Sequence, residues 1–389
     1  MKLHLFNPEN DLALADGGFS YCPPPAAVRI ANELASLPLW YAGGDDVVHL
    51  PHTHIVYRNE MAKMFALPTP YNPSMQGKVT SLSPWGWSAQ MRHRFKAMGF
   101  DKKLLPADSE IEKMRNLSSR VLTIEILTAL RDAGIHTPPM PRYICSLDEA
   151  VAFVNGCDRC VVKAPWSGSG KGIMWGIGRA EEPMVHFCKG VIRRQGGVMC
   201  EHFLNGKVEF AMEFLATATG VEFVGYSLFN AENGAYTGNL LTSNAYIEAQ
   251  LTEYISIEQL TEVKELLCEI IHSRLAESGY RGYFGIDMML YDNGEGCRLN
   301  PCMEINLRMN MGVVARLFYD HFVCYGNRGT YRVRYLRQQG EALDFHRKMQ
   351  IANPLKLEDG RIVEGYMNLV PVTPDNRYIA YVIIGEDNS

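Results

Sequence analysis

The 389-residue chain has no hydrophobic run long enough to span a bilayer, no extended basic run, no internal repeat and no low-complexity stretch. Its net charge is only −5. That balance argues against a general nucleic-acid binder or a membrane-surface protein, while leaving room for a local basic groove. The N-terminus meets charge and proline early and shows no signal-peptide pattern. Ten cysteines are scattered, mostly in apolar contexts, without the pairing pattern of a disulfide scaffold. Reduced thiols and a cytoplasmic location are therefore expected. Cys157 and Cys160 have a metal or redox spacing but lack the second pair of a zinc ribbon. A Walker A loop is missing too. In the one glycine-rich segment, Pro165 stands where the first glycine belongs and Gly172 where the final Ser or Thr belongs.

A hydrophobic content of 47% is enough for sizeable cores, and the length suggests two or three domains. The pattern predicts an α/β unit over residues 1–105. It has strands at Leu3–Phe6 and Leu39–Ala42 and helices at Pro24–Leu37 and Ser88–Met98. A mixed lobe follows over 106–200, with a helix from Ser118 or Ser119 to Ala133 and a capping-box helix opening at Ser146. A second lobe over 201–330 holds strands Val198–Phe203 and Glu209–Leu215 joined through Asn205-Gly206. It also holds a long amphipathic helix Ser256–Ser278 and a strand pair, Tyr283–Leu290 with Arg298–Asn306. Residues 331–389 supply a helix and two strands that complete or cover that lobe's sheet.

Two segments carry the chemistry. The first is Val161-Val162-Lys163-Ala164, followed by Ser167-Gly168-Ser169-Gly170-Lys171-Gly172. A strand with apolar neighbours can aim Lys163 at a phosphate as a fixed point charge. The loop can wrap closely because glycines lack Cβ, and its backbone N–H groups can form an anion nest. Each half alone also reads as a strand-edge lysine or a flexible turn. Next comes Glu201-His202-Phe203-Leu204, then Glu209. Such a connector can offer backbone groups to an adenine edge and a carboxylate to ribose hydroxyls, although by itself it reads as an ordinary hairpin.

The second segment holds Asp287 in Phe284-Gly285-Ile286-Asp287 and Glu304, Asn306 and Arg308 at alternate positions. Glu304 and Asn306 share a strand face. A carboxylate at Asp287, inside an apolar strand, is costly unless paired or metal-bound. If Asn293-Gly294 were a two-residue hairpin tip, Glu304 would oppose Tyr283. It would then sit about 13 Å along the strand from Asp287. Oxygens sharing a magnesium lie about 2.0–2.1 Å from it, so that register fails. A wider connection placing Glu304 nearly opposite Asp287 is expected, with Pro301 suited to an edge or bulge.

Taken in this order, the segments resemble the ATP-grasp superfamily over about Arg115–Arg316. The resemblance implies an ATP-grasp fold: two α+β lobes clamping ATP, preceded by an N-terminal α/β domain that helps bind the acceptor. It implies that Lys163 contacts the α/β-phosphates, that Ser167–Gly172 covers the triphosphate, and that Glu201, His202, Phe203 and Leu204 form the adenine hinge. Glu209 would hold the ribose, and Asp287, Glu304 and Asn306 would hold Mg2+, or Mn2+ in its place. Arg308, with Lys171, would serve the reacting phosphoryl group. Arg120 stands near the family's phosphate lysine, and Leu307 replaces the usual proline.

The implied activity is an ATP-dependent carboxylate ligase acting on a small-molecule carboxylate and a nucleophile, and a homo-oligomer is compatible with it. A kinase on the same fold and a nucleotide-binding module without turnover are the alternatives. Asn7–Leu12 is either a substrate-side loop or a capped turn. Asn239–Asn244 is expected to face the acceptor.

Overall fold

The computed structural model describes residues 1–168, 172–232 and 235–385, without the side chains of 230–232 and 235. Ser169, Gly170 and Lys171 lie outside the described residues. Three sheets organise the chain.

The first sheet is parallel, in the order β3-β2-β1-β4, with β1 Lys2–Leu5, β2 Val47–Val48, β3 Thr69–Pro70 and β4 Ser81–Pro84. Its core includes Leu3, Leu5, Val47, Leu82 and Phe95. The expected strand at Leu39–Ala42 is instead the end of a 3₁₀ turn, Leu37–Trp40. Pro38 starts that turn, and a fully buried Trp40 donates from Nε1 to the Leu369 carbonyl at 2.7 Å. Tertiary burial, not strand pairing, explains that apolar run.

The second sheet has β5 Arg142–Ile144, β6 Arg159–Lys163, β7 Ile173–Ile177 and β8 Val198–His202, in the antiparallel order β5-β8-β6-β7. The helix Leu147–Asn155 packs behind it, with Ser146 accepting from the Glu149 amide. The helix from Ser118 or Ser119 begins later than expected, at Leu122, and ends at Asp132 before Gly134 at φ +95°.

The third sheet has nine strands. They are β9 Asn205–Ala216, β10 Val221–Glu232, β11 Ala235–Leu241, β12 Gly282–Asp292, β13 Cys297–Asn306, β14 Gly329–Tyr335, β15 Lys356–Glu358, β16 Arg361–Asn368 and β17 Tyr378–Ile384. Their order is β13-β12-β9-β10-β11-β14-β17-β16-β15, so the C-terminal strands extend the sheet away from β13. β8 and β9 are not partners of one hairpin, as the sequence suggested. They belong to different sheets, and Phe203-Leu204 is the connection between those sheets. The helix Ile257–Leu275 covers one face through Leu260, Val263, Leu267 and Ile271.

Candidate active site

The carboxylates meet through strand register. Asp292 pairs with Cys297, so the connection is the four residues 293–296 rather than a two-residue tip. The ladder then slips between Asp287 and Met289, so that Met289 faces Asn300 while Asp287 faces Glu304. The longer connection and the bulge each move Glu304 two positions, and together they close the gap. Pro301 sits in the bulge on the sheet's edge strand, where its missing N–H is harmless.

Gly285 faces Asn306 on β13 and Glu213 on β9, so Glu213, Asp287, Glu304 and Asn306 share one face of the sheet. Glu209, opposite Met289, points to that face as well and is exposed.

Two like charges opposite each other in a low-dielectric setting resist joint ionisation. Burial first, and the Glu304 charge second, push Asp287 up to about 7, while the Asn306 amide opposes the rise. Asn306 Nδ2 donates to Asp287 Oδ2 at 3.1 Å. Among the described residues, no three His, Cys, Asp or Glu side chains gather as metal ligands. The candidate set is two carboxylates and an amide carbonyl, all hard oxygens. Their mutual repulsion is what a divalent cation would relieve, so the residues fit magnesium.

Two arginines already sit on these oxygens, and a lysine pairs with a carboxylate on the neighbouring sheet. Arg120, almost fully buried, places Nη2 2.9 Å from both Glu304 oxygens. Its Nη1 donates to the Ala164 carbonyl at 2.7 Å and to Ser167 Oγ at 2.6 Å. Lys163 is buried and pairs with Glu201 at 2.6 Å. Arg308 grips Asp11 with two bonds of 2.7 Å and reaches Asn306 Oδ1 at 3.1 Å. Gly168 runs beside Asp11, since a Cβ on it would lie 2.9 Å from Asp11 Oδ2.

Not every expected residue turns its side chain into this cleft. His202 points to the opposite face, where its ring lies against Phe153 and its Nδ1 is 3.7 Å from Cys157 Sγ. Phe203 lies under the Arg159 guanidinium at 3.5 Å and edge-on to Trp175. Leu204 lines a separate open cleft with Pro139, Met140 and Tyr291. Asn239 and Asn244 serve internal bonding, to Ser227 and to the Tyr226 amide respectively.

The sequence reading missed Glu213. It is completely buried and accepts from Asn310 Nδ2 at 2.8 Å. Burial pushes it up to about 8 against the Asn310 bond. A carboxylate inside the apolar run Phe210-Ala211-Met212-Glu213-Phe214-Leu215 carries the same signal that singled out Asp287. Asp11 as the partner of Arg308 was missed as well, and 297 positions of separation leave no local signal.

No family model matches the chain, and no curated protein matches it by sequence. Solved structures do match in shape. N5-carboxyaminoimidazole synthetase from Staphylococcus aureus, complexed with ADP, aligns over 99% of this chain and 93% of its own at a TM-score of 0.50 and 12% identity. Biotin carboxylase from Campylobacter jejuni, as a beta-gamma-ATP complex, aligns over 99% of this chain and 87% of its own at 0.50 and 13%. A proposed ATP-grasp superfamily protein from Archaeoglobus fulgidus spans 99% of this chain and 100% of its own at 0.46 and 16%. The two structures at a TM-score of 0.50 share their architecture with this chain across nearly its whole length, and that is the fold which the resemblance to ATP-grasp proteins implies.

Proposed function

We propose that the protein is an ATP- and magnesium-dependent ligase that activates a carboxylate as an acylphosphate for attack by an amine or similar nucleophile. The observation that carries this reading is Glu304 directly opposite Asp287, with Asn306 beside them and Arg120 and Arg308 bonded to their oxygens. The solved S. aureus structure holds ADP, which supports a nucleotide in the corresponding cleft here.

When bound, ATP supplies the phosphoryl group and magnesium the charge neutralisation. The chain's part is positioning and electrostatics, which dominate phosphoryl transfer. Asp287, Glu304 and the Asn306 carbonyl would hold the metal. Lys163 would meet the α/β-phosphates, exchanging part of its Glu201 contact for them. Arg120 would turn from Glu304 towards the phosphates as a metal replaces it. Residues 201–204 would present backbone groups to the base, Glu209 would accept ribose hydroxyls, and Ser167 and Gly168, with Ser169, Gly170 and Lys171, would close over the triphosphate. Arg308 would orient the transferred phosphoryl group. A carboxylate oxygen takes the phosphoryl group, the nucleophile then attacks the acyl carbon, and phosphate leaves. ADP, phosphate and the ligated product result, without a protein nucleophile.

The test is product analysis over a panel of carboxylates and amines. ADP and phosphate released only when both acceptors are present, with a hydroxylamine-trappable intermediate, is the expected result. A phosphorylated product stable to hydroxylamine would point to a kinase, and AMP with pyrophosphate would overturn the scheme.

A further inference from the structure

We infer that Asp11, on the first turn after β1, is the positioning residue that sets the orientation of Arg308 in the cleft. This rests on the reading above only in that Arg308 meets an oxyanion there.

A guanidinium has five N–H groups in a rigid plane. Nε donates to Asp11 Oδ1 and Nη2 to Asp11 Oδ2, both at 2.7 Å. Nη2 also donates to Asn306 Oδ1, and Nη1 to the Met309 carbonyl, both at 3.1 Å. Four donors are thereby used, and a single Nη1 hydrogen has no partner among the described residues. Two parallel bonds to one carboxylate fix a plane, which a single bond cannot do. The plane so fixed borders the cleft formed with Trp166, Ser167, Glu304 and Asn306.

Asp11 is itself held. Asn7 donates to the Gly86 carbonyl at 2.9 Å and accepts from the Gly86 amide at 3.3 Å. Asn10, with its amide oriented to donate, bonds the Gly86 and Trp87 carbonyls. The Trp85 carbonyl in turn accepts from the Met309 amide at 2.8 Å. The N-terminal unit thus grips residues 308–309 by backbone and by side chain together. An arginine that had to leave Asp11 to work would strand two mostly buried charges, which argues for a fixed mount over a displaceable plug.

The experiment is calorimetric titration of inorganic phosphate, with and without saturating MgADP, into wild type, Asp11→Asn, Arg308→Ala and the double variant. Asp11→Asn keeps shape and one acceptor, and thermal melts check that each variant is folded. MgADP affinity should stay within about twofold for Asp11→Asn, while phosphate binding weakens about tenfold or more. The double variant should be no weaker than Arg308→Ala alone. Losses that multiply would make Asp11 independent of Arg308 and overturn the inference. Tighter phosphate binding by Asp11→Asn would show competition and also overturn it. Wild type that binds MgADP but no phosphate would remove the oxyanion site and the inference with it. Wild type that binds phosphate but not MgADP would sink the nucleotide reading while the same ratios still decide Asp11. Binding of neither would refute both.

Discussion

Glu304 stands directly across the ladder from Asp287, although the shortest hairpin would have left the two four residues out of register. Burial and the Glu304 charge raise the Asp287 carboxyl from 3.8 to about 7. The folded state therefore holds that proton more tightly than the unfolded chain. The associated stability is complete below about pH 4 and is lost as pH rises through about 7. Asp287→Asn should be indistinguishable from wild type in metal-free melts near pH 4 and more stable than wild type near pH 8. It should also lose the magnesium-dependent stabilisation by an ATP analogue. Equal melting points at pH 8 would mean that the pair is not in conflict.

Lys163 and Glu201 make a second test, because pairing and ligand binding can be separated there. Lys163→Met leaves a largely buried carboxylate without its cation, with an expected loss of about 2 kcal/mol in chemical denaturation. Lys163→Met combined with Glu201→Gln should recover most of that loss. Neither variant should have wild-type nucleotide affinity, since the point charge proposed to meet the phosphates is gone. Full nucleotide affinity in the double variant would remove Lys163 from the site.

Gly312 reverses an ordinary helix rule. It lies in the first turn of the helix Met311–Phe322; in a helix interior, replacing glycine by alanine stabilises by about 1 kcal/mol. Here a Cβ would collide with the Glu213 carboxylate and lie 2.8 Å from Ser227 Cβ. Gly312→Ala should therefore destabilise, by about 2 kcal/mol or more. A higher melting temperature would show that Glu213 does not occupy this space.

Glu213 supplies a pH signature of its own. Its carboxyl is pushed from 4.5 to about 8, chiefly by burial. The stability it contributes is present below about pH 4.5 and lost as pH rises through about 8. Glu213→Gln should flatten that part of the stability–pH curve, and an unchanged slope between pH 5 and 8 would contradict the burial.

Gly168 connects the loop after β6 to the N-terminal unit. Its freedom from a Cβ matters for space, because a methyl group would press on Asp11 Oδ2 and Cβ at 2.9 and 3.3 Å. Gly168→Ala should slow turnover several-fold and weaken the stabilisation by MgADP. Stabilisation equal to that of wild type would take Gly168 out of the triphosphate loop.

Much of this arrangement was readable in the sequence where one physical requirement was strict. Metal geometry demanded a connection wider than two residues with Glu304 nearly opposite Asp287, which the strand pair has, and Pro301 suits the edge or bulge it occupies. Capping and glycine signals found the helices around Ser146 and Ser88. Leu39–Ala42 failed because a four-residue apolar run has no period to distinguish strand from turn. Val198–Phe203 and Glu209–Leu215 failed as a hairpin because two consecutive strands can belong to different sheets with the same local pattern. Arg120 on Glu304 and Arg308 on Asp11 are long-range pairings, set by how the sheets are brought together, and no window of sequence contains them.

The N-terminal unit is closed by residues 368–384. Trp40 bonds the Leu369 carbonyl, Tyr57 bonds the Asn368 carbonyl, and Glu33 accepts from the Arg377 and Tyr378 amides. Leu34, Trp40 and Phe65 share one apolar core with Leu369, Val370 and Val382. On the ribosome, these first residues emerge long before their covering strands have been translated. Proteins built from independent units fold each one as it appears. Here that aromatic surface must wait, unsheltered, for partners as far as 329 positions later in the chain, so nascent chains stalled short of β17 should be the ones that chaperones hold.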